Sequence, residues 1–218
     1  MSTSLLFDGC SESEQSQGHC KVVSFAVLLR QVMGEQAWSE LESGIHRRFA
    51  TYVGEGHSLV FKGRMQWVYC SPLGYIISKV IKRFAILPDA CVRDSEFTFD
   101  IGMRNGEILK QRTYEMRASQ SFRFSSLFST EPRLHEEFNG GIGMYLGLLV
   151  KRGSLLFRDE GYFFRIGQRR LRLPRWLTVG HFDLLHRNLD EQRFQIIIRV
   201  VHPLFGTLFY QRGEFFKQ

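Results

Sequence analysis

From Ser58 to the C-terminus, apolar residues recur at every second position in one segment after another, and short turns separate the segments. That period is the mark of a half-buried strand, because successive side chains point to opposite faces of a sheet. In 58–70, Leu59, Phe61, Met65, Trp67 and Tyr69 share one parity, while Lys62, Arg64 and Gln66 share the other. Phe97, Phe99, Ile101 and Met103 make the next stripe. Asn105-Gly106 follows, the strongest short hairpin signal, with a return strand over 107–117. Phe122, Phe124 and Phe128 alternate until Thr130-Glu131-Pro132 breaks the pattern, and Leu134 and Phe138 precede Gly140-Gly141. Ile142, Met144, Leu146, Leu148 and Val150 form a further stripe, closed by Arg152-Gly153. Leu155 and Phe157 run into Asp159-Glu160-Gly161, which reads as a turn, with Tyr162, Phe164 and Ile166 returning from it. Strands are expected again at 179–187, 192–202 and 206–216.

Turns this short make consecutive strands antiparallel neighbours, since parallel pairing needs a crossover of about a dozen residues. Roughly ten such strands in an open sheet would leave two aromatic-rich edges exposed. Closure removes the edges. The expected fold class is therefore α+β and mostly β: an antiparallel up-and-down meander closed into a barrel of the calycin or lipocalin kind. A helix-grip fold is the second architecture, but it ends on a long helix and this chain ends on a strand. Two or three helices precede the strands or interrupt them. Segments 24–33 and 36–53 read as helix, the second from the spacing of Trp38, Leu41, Ile45 and Phe49. Segment 73–86 reads as an amphipathic helix on Ile76, Ile77, Val80, Ile81 and Phe84, ended by Pro88. Residues 1–20, rich in Ser, Gln and Glu, read as a disordered tail, and 24–218 as a single domain.

Aromatic residues make up 14% of the chain, which favours half-buried pleated surfaces. No apolar run approaches the roughly 20 residues that span a bilayer, so no transmembrane segment is expected. The N-terminus lacks the basic start of a secretory signal. Cys10, Cys20, Cys70 and Cys91 show no paired spacing, which suits a reducing cytoplasm. The net charge of +7 would attract an anionic partner of some kind.

Three segments go beyond pattern: GGIGMYLGLLVKRGSLLFRDEGYFFRIG, RLRLPRWLTVGHFDLLHR and HPLFGTLFYQRGEF. With IHRRFA, FKGRM and SFRFSS upstream, they resemble a bacterial domain family of unknown function, number 4166, over about 25–216. Members of that family often follow a saccharopine-dehydrogenase-like oxidoreductase domain. The resemblance therefore implies an accessory or binding role, with an oxidoreductase-type protein as a possible separate partner. It brings no catalytic residues.

No reaction centre stands out among the candidate sites. Gly141, Gly143 and Gly147 miss the dinucleotide spacing and enter a strand, so they are read as places where an aromatic ring or a strand comes close. His181, Asp183 and His186 resemble metal ligands, but a strand sends His186 to the face opposite the other two. No metal and no cofactor is expected. The run from Arg169 to Trp176 reads as an edge strand guarded by charge rather than as a nucleic-acid surface, and nucleic acid is not expected as a partner. Arg112 shares an apolar face with Ile108 and Tyr114, where an arginine is either paired with a carboxylate or open to an anion. His202 continues the face of Phe194, Ile196, Ile198 and Val200, or else bonds to its own turn, HPLFG. Arg112, Tyr145 and His202 are the candidate ligand anchors. The leading expectation is a non-enzymatic module holding an apolar or amphipathic small molecule inside the barrel. The alternatives are an oxidoreductase-type enzyme or accessory subunit, and a basic module that docks on a membrane surface or a protein.

Overall fold

A computed structural model describes residues 23–54, 56–81, 95–105, 107–115 and 121–217. The expected tail at 1–20, residues 82–86 of the helix at 73–86 and the end of the strand at 107–117 lie outside the described residues.

The chain opens with β1 (Val23–Ser24), α1 (Phe25–Met33), α2 (Glu35–Ser39), α3 (Ser43–Phe49) and β2 (Tyr52–Val53). The single helix expected over 36–53 is thus two short helices and a strand. The break has a tertiary cause: the Glu42 backbone N–H, which a continuous helix would use internally, donates to the Gly153 carbonyl at 2.9 Å. The apolar face survives the break, with Leu41, Ile45 and Phe49 all buried. After Phe49 the chain extends and pairs Tyr52–Val53 with Val23–Ser24.

The strands follow: β3 (Leu59–Cys70), then, after α4 (Pro72–Ile81), β4 (Glu96–Arg104), β5 (Glu107–Glu115), β6 (Ser121–Ser129), β7 (His135–Phe138), β8 (Ile142–Lys151) and β9 (Ser154–Ile166). The last four are β10 (Arg169–Arg172), β11 (His181–Asn188), β12 (Arg193–His202) and β13 (Gly206–Lys217). Each pairs antiparallel with its neighbour in sequence, except that β9 pairs with β11, leaving β10 on the free edge of the outer half of β9. β13 then pairs with β3, closing a barrel of ten strands with β10 as an extra. The hairpins expected across Asn105-Gly106 and Arg152-Gly153 are present, with Arg104 opposite Glu107 and Lys151 opposite Ser154.

Two bulges redirect side chains that simple alternation assigns otherwise. On β3, Met65 lies opposite Gly213 and Trp67 opposite Arg212, so Gln66 is the extra residue. An extra residue flips the parity beyond it. Leu59, Phe61 and Met65 are accordingly buried, whereas Trp67 and Tyr69 stand half exposed and Val68 turns inward against the core. On β9, Tyr145 lies opposite Gly161 and Leu146 opposite Asp159, with Glu160 extra. The expected turn at Asp159-Glu160-Gly161 is therefore a bulge within one 13-residue strand. Gly161, at φ 121°, supplies the backbone shape.

Helices α1 and α3 cover one end of the barrel, where the Phe25 ring lies 5.4 Å from both Phe49 and Phe128. At the far end, Leu73 and Ile77 of α4 pack on Val200, Leu208 and Phe209. Small residues let the strands close. Phe163 lies across Gly143, as the glycine reading expected, and a Cβ on Gly63 would collide with the Glu214 carbonyl and the Phe215 ring. Gly63→Ala is expected to cost about 1–3 kcal/mol by overpacking. The check is an earlier urea midpoint with the same slope; an unmoved midpoint would mean that β3 and β13 have room to part.

Candidate functional site

Inward-facing residues of all ten barrel strands leave an interior cavity of about 110 Å³. A single water needs roughly 10–15 Å³, so the space takes several waters or a small organic guest. Its walls are mostly Phe, Leu, Ile, Val and Met, running from Phe25 and Phe49 under the helices to Val179, Phe182 and Phe209 at the far end.

One wall is polar. The inward positions of β5 are Ile108, Lys110, Arg112 and Tyr114, and the last three line the cavity. Facing them is Glu136 from the short strand β7. Arg112 donates to Glu136 Oε1 at 2.5 Å and to Ser126 Oγ at 2.9 Å. The Ser126 hydroxyl donates to the same carboxylate oxygen at 2.5 Å. Lys110 Nζ reaches Glu136 Oε2 at 3.4 Å and sits 3.5 Å from the centre of the Phe128 ring. The side chains of Lys110 and Glu136 are only 6% and 4% exposed, so the cluster is shielded from bulk water. Burial pushes the Lys110 ammonium down to about 8, although Glu136 pulls the other way. Burial alone would raise the Glu136 carboxyl, but Arg112 and Lys110 beside it hold it well below the usual carboxylate range. Burial raises Tyr114 to about 12.

His186, inward on β11, lines another part of the cavity. Its ring lies 5.2 Å from Phe49 and 4.5 Å from Phe194, and neither ring nitrogen has a hydrogen-bond partner. Burial, then the nearby Arg48, push its pKa down to about 3, so the imidazole is neutral. Arg48 is itself buried, donating to Asn188 Oδ1 at 2.7 Å and stacking 4.4 Å over Phe194.

Of the three anchors named from sequence, only Arg112 lines the cavity. Tyr145 lies on the outer wall, between the inward Met144 and Leu146, in an aromatic cluster with Phe163 and His135 under the Arg133 guanidinium. His202 is buried but turns to its own loop: its Nδ1 accepts from the Leu204 N–H at 3.2 Å and its ring stacks 4.7 Å from Phe205. His181, Asp183 and His186 split across the sheet as expected. Asp183 pairs with Arg158 outside, and His181 meets the buried Asp159 at 3.5 Å. Among the described residues, no three potential metal ligands gather at one point.

Sequence reasoning missed Lys110, Glu136 and His186 as cavity groups. Lys110 was findable, because it shares the parity of Arg112. Glu136 was not: all four residues of β7, His-Glu-Glu-Phe, are buried, and a segment that short shows no period. β10, by contrast, is the charged edge strand the sequence suggests.

The fold and this interior define a class: a closed ten-stranded antiparallel barrel, covered by helices at one end, with an apolar cavity and one ionic wall. Within that class, the chain belongs to the family described as Domain of unknown function (DUF4166), whose model matches residues 41–215. No curated protein and no solved structure matches the chain. No helix among the described residues is long and apolar enough to cross a membrane.

Proposed function

We propose that the domain is a binding module that holds an apolar or amphipathic small molecule in the barrel, with Arg112 as its polar anchor. The observation that carries this reading is the cavity of about 110 Å³, walled by apolar side chains and reached by Arg112 from one strand. Binding sites for small molecules commonly combine apolar walls with a few placed polar groups, and barrel interiors are a usual location. In this reading Tyr145 and His202 act away from the guest. The cysteine spacing favours work in a reducing cytoplasm.

The test uses the uncharged fluorophore N-phenyl-1-naphthylamine. It is expected to bind one-to-one and saturably to the parent protein. Leu146 and Ile198 both line the cavity, so Leu146→Trp or Ile198→Trp fills space that is otherwise free. Each change is expected to weaken fluorophore binding at least about tenfold while costing less than about 1 kcal/mol of stability. A filled core would instead lose about 1–3 kcal/mol to the same changes. That loss, together with no saturable binding to the parent, would reject the binding-module reading.

A further inference from the structure

We propose that the guest is an anionic amphiphile, a carboxylate on a short or medium apolar chain, whose head group completes the Lys110–Arg112–Glu136 cluster. This rests on the cavity reading and names the ligand class that the cavity takes.

The argument is one of charge balance. Lys110 and Arg112 are two cations on one wall, and among the described residues that line the cavity Glu136 is the one carboxylate. The other inward carboxylate nearby, Asp159, is committed elsewhere. It accepts from the Phe182 N–H at 2.9 Å and sits near His181 and Arg175. The wall is therefore one positive charge in excess, inside an apolar barrel. An uncompensated buried charge is costly, and a second anion beside the two cations removes the cost. Glu136 uses Oε1 for Arg112 and Ser126, leaving Lys110 with a 3.4 Å contact to Oε2 and the faces of aromatic rings. Lys110 thus keeps donor capacity that a closer oxygen would take up.

A second observation also points to a guest. His186 is 3% exposed, lines the same cavity and has both ring nitrogens without a partner. Buried polar atoms are nearly always satisfied, so a neutral imidazole with an idle donor and an idle acceptor marks a place where a polar atom of a guest belongs.

The outer surface agrees. At the end away from α1 and α3, Gly180 packs on Val201 and His202, and His202 stacks on Phe205, which brings the loop before β11 together with the β12–β13 turn. Residues 165–182 contribute Arg165, Arg169, Arg170, Arg172 and Arg175, residues 199–213 contribute Arg199 and Arg212, and neither segment contains Asp or Glu. Arg165 is paired with Glu137 at 2.5 Å and Arg175 lies 3.9 Å from Asp159, so the excess positive charge that draws anions here rests on the other arginines.

The probe pair is octanoate and 1-octanol, which share a chain and differ at the head, titrated calorimetrically into the full chain at pH 7. Octanoate is expected to bind at least tenfold more tightly than the alcohol. Lys110→Met leaves Arg112 and Glu136 as a matched pair, and Arg112→Met leaves Lys110 and Glu136, so either variant makes the wall neutral and is expected to fold. In both, the preference for octanoate should vanish while octanol binding persists. If the parent binds octanol as tightly as octanoate, or if the folded variants keep the preference, the anion inference falls and the cavity reading stands. If the parent binds neither probe, both fall.

Discussion

Replacing Glu136 with Gln is expected to destabilise the fold by about 3–5 kcal/mol, the usual cost of stripping a buried charge of its counter-charge. Gln keeps the shape of the side chain, so the loss isolates the charge. Lys110 and Arg112 are 6% and 14% exposed, too little for water to take over the role of the carboxylate. In a domain of this size each kcal/mol moves Tm by about 2–4 °C, which puts the expected drop near 6–20 °C. Replacing the whole cluster with apolar residues (Lys110→Met, Arg112→Leu and Glu136→Leu together) is expected to recover most of the loss or exceed it, because no buried charge then has to be desolvated. The pair of measurements separates stability from recognition: the triple variant should fold and bind octanol, yet show no preference for octanoate. A loss below about 1 kcal/mol for Glu136→Gln would mean that the cluster is wet. The pH dependence has the same sign for the two partners, because both are lowered in the fold, but it falls in different pH windows. Glu136 is lowered from 4.5 to about 2, so its contribution is complete above pH 4.5 and is lost as pH falls toward 2. Lys110 is lowered from 10.5 to about 8, so holding its proton costs stability at neutral pH, and stability rises between pH 8 and 10.5, where the unfolded chain binds the proton more strongly.

A second large effect is expected on mild acidification, before Glu136 begins to titrate. His186 is held neutral in the fold, its pKa lowered from 6.5 to about 3. Below pH 6.5 the unfolded chain takes up a proton at this position that the folded protein refuses, so stability falls as pH drops from 6.5 toward 3. By pH 4.5 the loss approaches about 2–3 kcal/mol, at about 1.4 kcal/mol per pH unit. Urea titrations at pH 7 and pH 4.5 measure it. In His186→Leu, which keeps a similar volume against Phe49 and Phe194, this branch should disappear and the two midpoints should draw together. The same substitution removes two unpartnered polar atoms from an apolar surround, so stability at pH 7 should hold or rise. An acid branch that persists unchanged in His186→Leu would assign it to another group.

Wherever a segment is long enough to show its period, the strands were legible. β4, β8 and β12 each carry four or more apolar residues at alternate positions, and the short turns at Asn105 and Arg152-Gly153 fixed antiparallel neighbours. Misreadings fall where one residue breaks the count. Gln66 on β3 turns Trp67 and Tyr69 outward, and Glu160 on β9 lets Asp159 and Tyr162 both face in, so a bulge looked like a turn. The helix expected over 36–53 had a correct apolar face, but a backbone hydrogen bond from Glu42 to Gly153, more than a hundred residues away, broke it.

The candidate site divides along the same line. Local alternation put Arg112 on an apolar face, and from that alone it followed that the arginine needs a carboxylate or an anion. Which carboxylate answers it depended on β7 pairing with β6, which sets Glu136 opposite Phe128 and within reach of Ser126 and Arg112. His202 shows the converse. Its parity pointed inward, but the end of a strand is free to follow its turn, and the imidazole went to the Leu204 N–H. The sequence by itself determined strand order and the inward stripe of most strands, because both are written in contacts between near neighbours and in a period of two. The closing pair of β13 with β3 and the size of the cavity were decided by tertiary structure, because both depend on side chains that meet only after the first and last strands of the barrel have joined, and the imbalance of two cations against one carboxylate was decided by the pairing of β7 with β6, which so short a segment does not announce.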